Sequence, residues 1–235
     1  RIREIADGVS SIVMVDMAHI AGLVAGGAHP TPVPHADFIT STTHKTLRGP
    51  RGGFVLSSEE KIKDINRRTF PGIQGGPLVH VIAAKAVCFK EALTDSFKVY
   101  SNQVVVNART LGETLLSEGF RLVSGGTDTH LLLVDVGAKD ITGKEAEQVL
   151  EQAEITVNKN VIPFDERPAL VASGIRIGTP ALTTRGMKES EMQYVGRLIA
   201  RALQARDNIK EIHRIAEDVR QLVKEFPLYP DLLKS

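Results

Sequence analysis

The chain has 235 residues, 42% of them hydrophobic, which is enough for one large core or two modest cores. Its 29 basic and 28 acidic residues leave a net charge of +1 without a long block of like charge, which argues against a nucleic-acid-binding surface. No run of about 18 apolar residues is present, so we expect no membrane-spanning helix. The single cysteine, Cys88, lies in an apolar helical pattern and cannot form an internal disulfide, so we expect a buried thiol in a cytoplasmic protein.

The first part of the chain alternates between short apolar runs and helical patterns. Residues 1–9 are typical of the end of a helix rather than of a signal peptide, so we expect the chain to be a fragment of a larger domain. The apolar runs predict three strands, at 11–15, 37–41 and 53–56. The helical patterns predict two helices, at 61–68 and 78–93.

The pattern changes after the polar break Thr94-Asp95-Ser96, so we predict two domains, 1–95 and 96–235. Beyond the break, apolar residues recur on one helix face at positions 104, 108, 111 and 115. Thr142 and Glu145 form the capping box of a second helix. Strands are predicted at 121–123, 130–136 and 154–158. Two apolar stripes predict that the last fifty residues are helical.

The segment 41–53 carries the first chemical signal. It places Lys45 just after a predicted strand and before a glycine-rich turn, among threonines and arginines. Open α/β sheets bind ligands at the carboxyl ends of their strands, and a lysine that loses its proton there is a nucleophile. Hydroxyls and cations around one amine suit an anionic, phosphorylated carbonyl cofactor. The alternative is a solvated lysine in a glycine-rich loop, which is the commoner role of a lysine.

Three other residues complete a set that is more specific than any one of its members. Asp16 ends the first predicted strand, and His19 follows it by three positions. Arg176 stands between apolar neighbours, where a guanidinium either grips a substrate carboxylate in a bidentate manner or pairs with a structural acid. An electron-sink cofactor such as pyridoxal phosphate needs a lysine to hold it and a carboxylate at its ring nitrogen, and an amino-acid substrate adds the need for an arginine.

Five segments resemble the serine hydroxymethyltransferase family of bacterial type, in the same order and spacing over essentially the whole chain. They are 15–27, 41–53, 70–77, 124–130 and 173–181. The resemblance implies an α/β, aminotransferase-like fold (fold type I of the pyridoxal-phosphate enzymes), with the C-terminal part of a large, mostly parallel sheet domain followed by a small α/β domain. It also implies that the N-terminal half of the catalytic domain is missing.

The resemblance implies roles for individual residues at the cofactor. Lys45 would carry pyridoxal 5′-phosphate covalently, and Asp16 would pair with the pyridinium nitrogen. His19 would lie beside the cofactor and the substrate, while Thr42 and His44 would help to position the cofactor. Arg51 would be a cation near the lysine.

Further roles concern the substrates and a second subunit. Arg176 would hold the carboxylate of serine or glycine, and Asn160 with Pro168, Ala169 and Leu170 would contact tetrahydrofolate. Gly75 and Gly76 would donate backbone N–H groups to the phosphate of a neighbouring subunit's cofactor, which implies a homodimer with shared active sites. The implied reaction transfers a hydroxymethyl group from serine to tetrahydrofolate, without a metal, a nucleic acid or a membrane as partner.

Two departures from the family pattern leave alternatives open. Arg48 stands where the family usually has a small residue, so its charge acts on the Lys45 amine or its side chain points away to solvent. The segment 167–170, Arg-Pro-Ala-Leu, differs from the common bacterial pattern, so the folate contacts there either follow the family or differ from it. The alternative functions are another enzyme of fold type I, such as a threonine aldolase or an acyl-CoA:glycine transferase, and a non-catalytic fragment that keeps only a dimer surface.

Overall fold

The computed structural model describes residues 1–230, and the chain divides into two compact units, residues 1–102 and residues 103–235. The division falls inside a long helix, α5 (Asp95–Ser117), whereas the polar break that we took as the domain boundary lies at the start of that helix. The boundary at residue 95 therefore stays a prediction. Within the described residues, none of the helices has both the length and the apolar character that crossing a bilayer requires.

The first unit is built around a three-stranded sheet in the order β1-β2-β3. Strand β1 runs parallel to β2, and β2 runs antiparallel to β3. The strands of this unit are β1 (Met14–Asp16), β2 (Phe38–Thr42) and β3 (Gly53–Ser57). Its helices are α1 (Ile2–Gly8), α2 (Ala21–Ala25), α3 (Glu59–Arg67), α4 (Val79–Ala92) and α5 (Asp95–Ser117), which continues into the second unit.

One face of this sheet packs on helices to form the core of the first unit. Ile39 points into that core, whose buried members also include Met17, Leu47, Cys88 and Phe97. The prediction of a buried thiol at Cys88 is confirmed, and burial raises the pKa of this thiol. Because alternate residues of a strand point to opposite faces, the neighbours of Ile39 on β2 face away from this core.

The second unit is a four-stranded antiparallel sheet, in the order β4-β5-β7-β6, covered by helices. Its strands are β4 (Arg121–Leu122), β5 (Leu131–Asp135), β6 (Asn158–Asn160) and β7 (Gly174–Gly178). Its helices, besides the end of α5, are α6 (Gly143–Gln152), α7 (Pro180–Thr184), α8 (Glu189–Gln204) and α9 (Ile209–Glu225). The four apolar residues predicted to share a face of α5 are all fully buried, at positions 104, 108, 111 and 115.

Local sequence rules succeed at one end of α6 and fail at the other. The capping box of Thr142 and Glu145 is present as predicted. The strand predicted at 154–158 is wrong, because Glu154 has a left-handed backbone (φ 61°) and the Ile155 N–H donates to Leu150 O (2.8 Å) at the end of the helix. Pairing with β7 begins only at Asn158.

Candidate active site

The candidate site of the first unit lies at the carboxyl ends of β1 and β2. Asp16 is the last residue of β1 and stands directly opposite Thr40 of β2 in the parallel ladder. Asp16, Thr40 and Thr42 therefore present their side chains on one face of the sheet, opposite to the face that Ile39 buries. Asp16 is exposed, and one of its carboxylate oxygens accepts a hydrogen bond from the Ala18 N–H (2.9 Å).

Two hydroxyls on this face are buried without a hydrogen-bond partner among the described residues. They belong to Thr40 and Thr42. Buried polar atoms in proteins are almost always hydrogen-bonded, so two such hydroxyls side by side indicate room for a polar ligand atom. Thr40 lines a cavity of about 710 Å³, whose lining also includes the cationic side chains of Arg51 and Lys85. An anionic cofactor with polar substituents fits these residues.

The turn after β2 exposes Lys45 to solvent, and the residues that follow it anchor the turn in the core. Lys45 is exposed, whereas the next two residues, Thr46 and Leu47, are buried. The Thr46 hydroxyl donates to His19 O (2.8 Å) and accepts from the Gly22 N–H (2.9 Å). This one hydroxyl ties the turn that carries Lys45 to the segment that follows Asp16.

Gly22 explains why small residues follow His19 in the sequence. A Cβ at this position would lie 2.1 Å from the carbonyl oxygen of Thr46, so only glycine allows the two backbones to approach so closely. The close approach brings the Gly22 N–H within reach of the Thr46 hydroxyl.

His44 and Arg51 lie together at the start and end of the Lys45 turn. The Gly52 N–H points at His44 Nδ1 (3.4 Å), and Arg51 Nη1 lies 3.3 Å from His44 Nε2. A neutral imidazole has only one acceptor nitrogen, so one tautomer satisfies one of these two donors at a time. Arg51 thus lies beside His44, and its role as a cation near Lys45 stays a prediction.

Two glycines of the 70–77 segment, Gly75 and Gly76, lie outside helices and strands. Gly75 and Gly76 are exposed in the connection that precedes α4, and a Cβ added to either would meet nothing within 4 Å. Their backbone geometry leaves them open to approach, and the proposed contact with a second subunit stays a prediction.

The second unit holds the remaining predicted residues, and Arg176 is central among them. It sits in the middle of β7, between buried Ile175 and Ile177, and is half-buried. Its neighbours in register are Leu133 on β5 and Asn158 on β6. Asn160 closes β6, and its amide donates to Val161 O (2.8 Å).

The loop between β6 and β7 carries the three residues predicted to contact folate, and Asp165 organises this loop. Pro168, Ala169 and Leu170 are all exposed. The Asp165 carboxylate accepts from the Ser173 hydroxyl (2.6 Å) and from the N–H groups of Ile162, Arg167 and Ser173. These bonds lower the pKa of Asp165 to about 2 from its ordinary 3.8, and the bond from the Ser173 hydroxyl has the largest effect.

Sequence reasoning overlooked three residues that shape these sites. The bond from Arg167 N–H to Asp165, two positions earlier, is an Asx turn that an Asp in a loop could have suggested. Nothing in the pattern pointed to the burial of the Thr40 hydroxyl or to the two hydrogen bonds of the Thr46 hydroxyl. Both features depend on strands and turns that are distant in sequence. No group of three or more potential metal ligands occurs within residues 1–230.

The family model for serine hydroxymethyltransferase matches residues 1–199. The chain belongs to the serine hydroxymethyltransferase family. It is 61% identical over 231 residues to a curated serine hydroxymethyltransferase of Koribacter versatilis, an alignment that covers 98% of the chain and 54% of the relative. It is also 61% identical over 234 residues to one of Myxococcus xanthus, which covers 100% of the chain and 56% of the relative.

Family membership confirms the resemblance read from the five segments and the α/β, fold type I class that it implied. The three-stranded sheet of the first unit, with one parallel and one antiparallel pairing, is consistent with part of such a domain. The chain spans about half the length of the curated relatives it matches. The roles of individual site residues stay predictions.

Proposed function

We propose that this chain is part of a serine hydroxymethyltransferase that transfers a hydroxymethyl group reversibly from serine to tetrahydrofolate, giving glycine and 5,10-methylenetetrahydrofolate. The observation that carries the proposal is the arrangement at the first sheet, read together with family membership. Asp16 ends one strand of a parallel pair, and Lys45 follows the other. On the second strand, within residues 1–230, the hydroxyls of Thr40 and Thr42 are buried without a hydrogen-bond partner.

The cofactor of the proposed reaction is pyridoxal 5′-phosphate. When bound, it supplies an aldehyde for amines and a ring that accepts electrons from the bond that breaks. Lys45 would hold it covalently through its exposed amine. Asp16, exposed on the same edge, would keep a proton on the ring nitrogen, because a carboxylate next to that nitrogen favours its charged form. Thr42 and His44 would help to position the cofactor and its phosphate.

Arg176 would bind the carboxylate of serine or glycine. A guanidinium can grip both carboxylate oxygens at once, which fixes the orientation of the amino acid as well as its position. Orientation decides which bond of the substrate is aligned to break. His19, in the turn after β1, would act next to the substrate, and Arg51 would add positive charge near Lys45.

The remaining parts of the proposal concern folate and subunit organisation. Asn160 and the exposed loop residues Pro168, Ala169 and Leu170 would contact tetrahydrofolate. Gly75 and Gly76 would donate backbone N–H groups to the cofactor phosphate of a partner subunit in a homodimer. The exposure of these glycines and of the loop supports both contacts. A cytoplasmic location is part of the same proposal.

The test joins the part of the Myxococcus xanthus relative that this chain does not match to residues 1–235, which yields a chimera of family length. We expect borohydride to trap pyridoxal phosphate on Lys45, as located by peptide mass mapping. Lys45→Ala should abolish trapping and serine cleavage, whereas Lys63→Ala, at an exposed lysine of α3, should leave both unchanged. Trapped cofactor that persists in Lys45→Ala would overturn the assignment. The 235-residue chain alone should show weak or no turnover.

A further inference from the structure

Arg48 has an unusual backbone for an arginine. Its φ is 57°, in the left-handed region that residues with a Cβ seldom occupy. Its N–H donates to the carbonyl of Lys45 (3.0 Å), and the following N–H, of Gly49, donates to Thr43 O (2.7 Å). Arg48 therefore closes the turn whose first residue is Lys45, in a conformation that surrounding contacts must hold.

The side chain of Arg48 lies on two aromatic rings of α5. The guanidinium carbon is 4.0 Å from the centre of the Tyr100 ring and 5.8 Å from that of Phe97. The two rings lie 5.6 Å apart and are tilted by 48°, so together they form a concave seat. A guanidinium over an aromatic face is a favourable cation–π contact. The sequence had left two alternatives for Arg48, a charge that acts on the Lys45 amine and a side chain that points to solvent. Neither alternative included a contact with aromatic rings.

The turn is held from a second side by α4. The thiol of Cys88 donates to Leu47 O (3.4 Å), and a Cβ at Gly49 would lie 2.5 Å from the Cys88 sulfur. Leu47 and Gly49 thus pack on α4 while Arg48 packs on α5. The turn is thus held by contacts with both α4 and α5. Because Arg48 is exposed, a substitution at this position removes the contact with Tyr100 without disturbing the buried core.

We infer that Arg48 is a positioning residue: its stack on Tyr100 fastens the turn to α5 and so holds the Lys45 amine at the place where it receives the cofactor. The role of the Lys45 amine rests on the proposed function. The contact by which Arg48 holds the turn against α5 is independent of that function. A positive charge alone at position 48 should therefore not hold the turn as firmly as the arginine does. Removing the arginine or the Tyr100 ring should have the same effect on the turn as removing both.

The experiment measures hydrogen exchange by NMR at two amides of the chain, those of positions 48 and 49, whose bonds close the turn. Arg48→Met and Tyr100→Leu should each speed their exchange about fivefold, the factor that a cation–π contact of about 1 kcal/mol corresponds to. The double variant should exchange no faster than either single variant. Tyr100→Phe, which keeps the ring, and Arg67→Met, which removes an exposed arginine that pairs with Asp64, should match the wild type.

A second readout joins this fastening to the chemistry. In the chimera, Arg48→Met should raise the pyridoxal phosphate concentration needed for half-maximal trapping at Lys45 about fivefold, by the same conversion. Arg48→Lys should recover only part of the loss, because an ammonium lacks the flat surface that stacks. Unchanged exchange in Arg48→Met, or effects of the two single variants that multiply in the double variant, would overturn the inference. If the wild-type chimera traps no cofactor, the proposed function fails, and the exchange data still decide the role of Arg48.

Discussion

Replacing Thr46 by valine tests whether the Lys45 turn is fastened to the segment after Asp16. Thr46 is 2% exposed, and its hydroxyl bridges the carbonyl of His19 and the N–H of Gly22. That N–H belongs to the first turn of α2, where helices have N–H groups without partners of their own. Ile20, the N-cap of α2, makes no side-chain cap bond, so the hydroxyl of Thr46 supplies a cap from another part of the chain.

The cost of the substitution follows from the two bonds. Valine keeps the shape of threonine but leaves the buried Gly22 N–H without a partner, at a cost of about 1–3 kcal/mol. The partly buried His19 carbonyl loses a bond worth about 0.5–1.5 kcal/mol. We therefore expect Thr46→Val to lower the free energy of unfolding of the first unit by about 1.5–4.5 kcal/mol. The control, Thr46→Ser, keeps both bonds and loses one methyl group, worth about 1 kcal/mol.

Urea unfolding followed by circular dichroism gives the change in stability, and hydrogen exchange read by mass spectrometry assigns it to residues 1–102. The valine variant should lose protection in α2 and in the Lys45 turn together, since one hydroxyl serves both. The reasoning is refuted if the valine and serine variants are equally stable, or if α2 keeps its protection while the turn loses it.

Three further predictions concern other parts of the chain. Leu111→Ala, at a fully buried position of α5, should lower the free energy of unfolding of the second unit by about 2–5 kcal/mol in urea titrations, because it opens a cavity. In the chimera, Arg176→Lys should raise the KM for serine roughly 10- to 100-fold, because lysine cannot form the bidentate grip, while the KM for tetrahydrofolate changes little. The lowered pKa of Asp165 predicts that its contribution to stability is present above about pH 4 and is lost as the pH falls to about 2. Thermal melts across this range should show the loss in the wild type and not in Asp165→Asn.

Features with a local cause were predictable from the sequence. The capping box at Thr142 requires only residues three apart, and the buried face of α5 requires only a helical period. The placement of Asp16 and Lys45 at the ends of neighbouring strands was also within reach, because apolar runs that end in polar residues mark strand ends. Parallel pairing of β1 with β2 then brings those ends to one edge.

Features that depend on distant contacts were out of reach. The position of β6 depends on pairing with β7 and on the left-handed residue Glu154, and neither leaves a mark in the local pattern. The seat of Arg48 is on α5, far along the chain, so the sequence offered only the choice between the lysine and solvent. Propensity and period describe single elements, whereas these contacts arise when elements pack.

The exposure of the proposed catalytic residues explains why we expect little turnover from the chain alone. Asp16 and Lys45 are both exposed within their unit. Two unit charges 4 Å apart interact by about 1 kcal/mol in water and by about 4 kcal/mol at the effective dielectric of a partly enclosed site. Exclusion of water is therefore worth several kcal/mol to chemistry at this edge of the sheet. The relatives are almost twice as long as the stretch that this chain matches, so the unmatched part has the length to enclose the edge. Supplying that part in the chimera should raise serine cleavage by orders of magnitude while Asp16 and Lys45 stay unchanged.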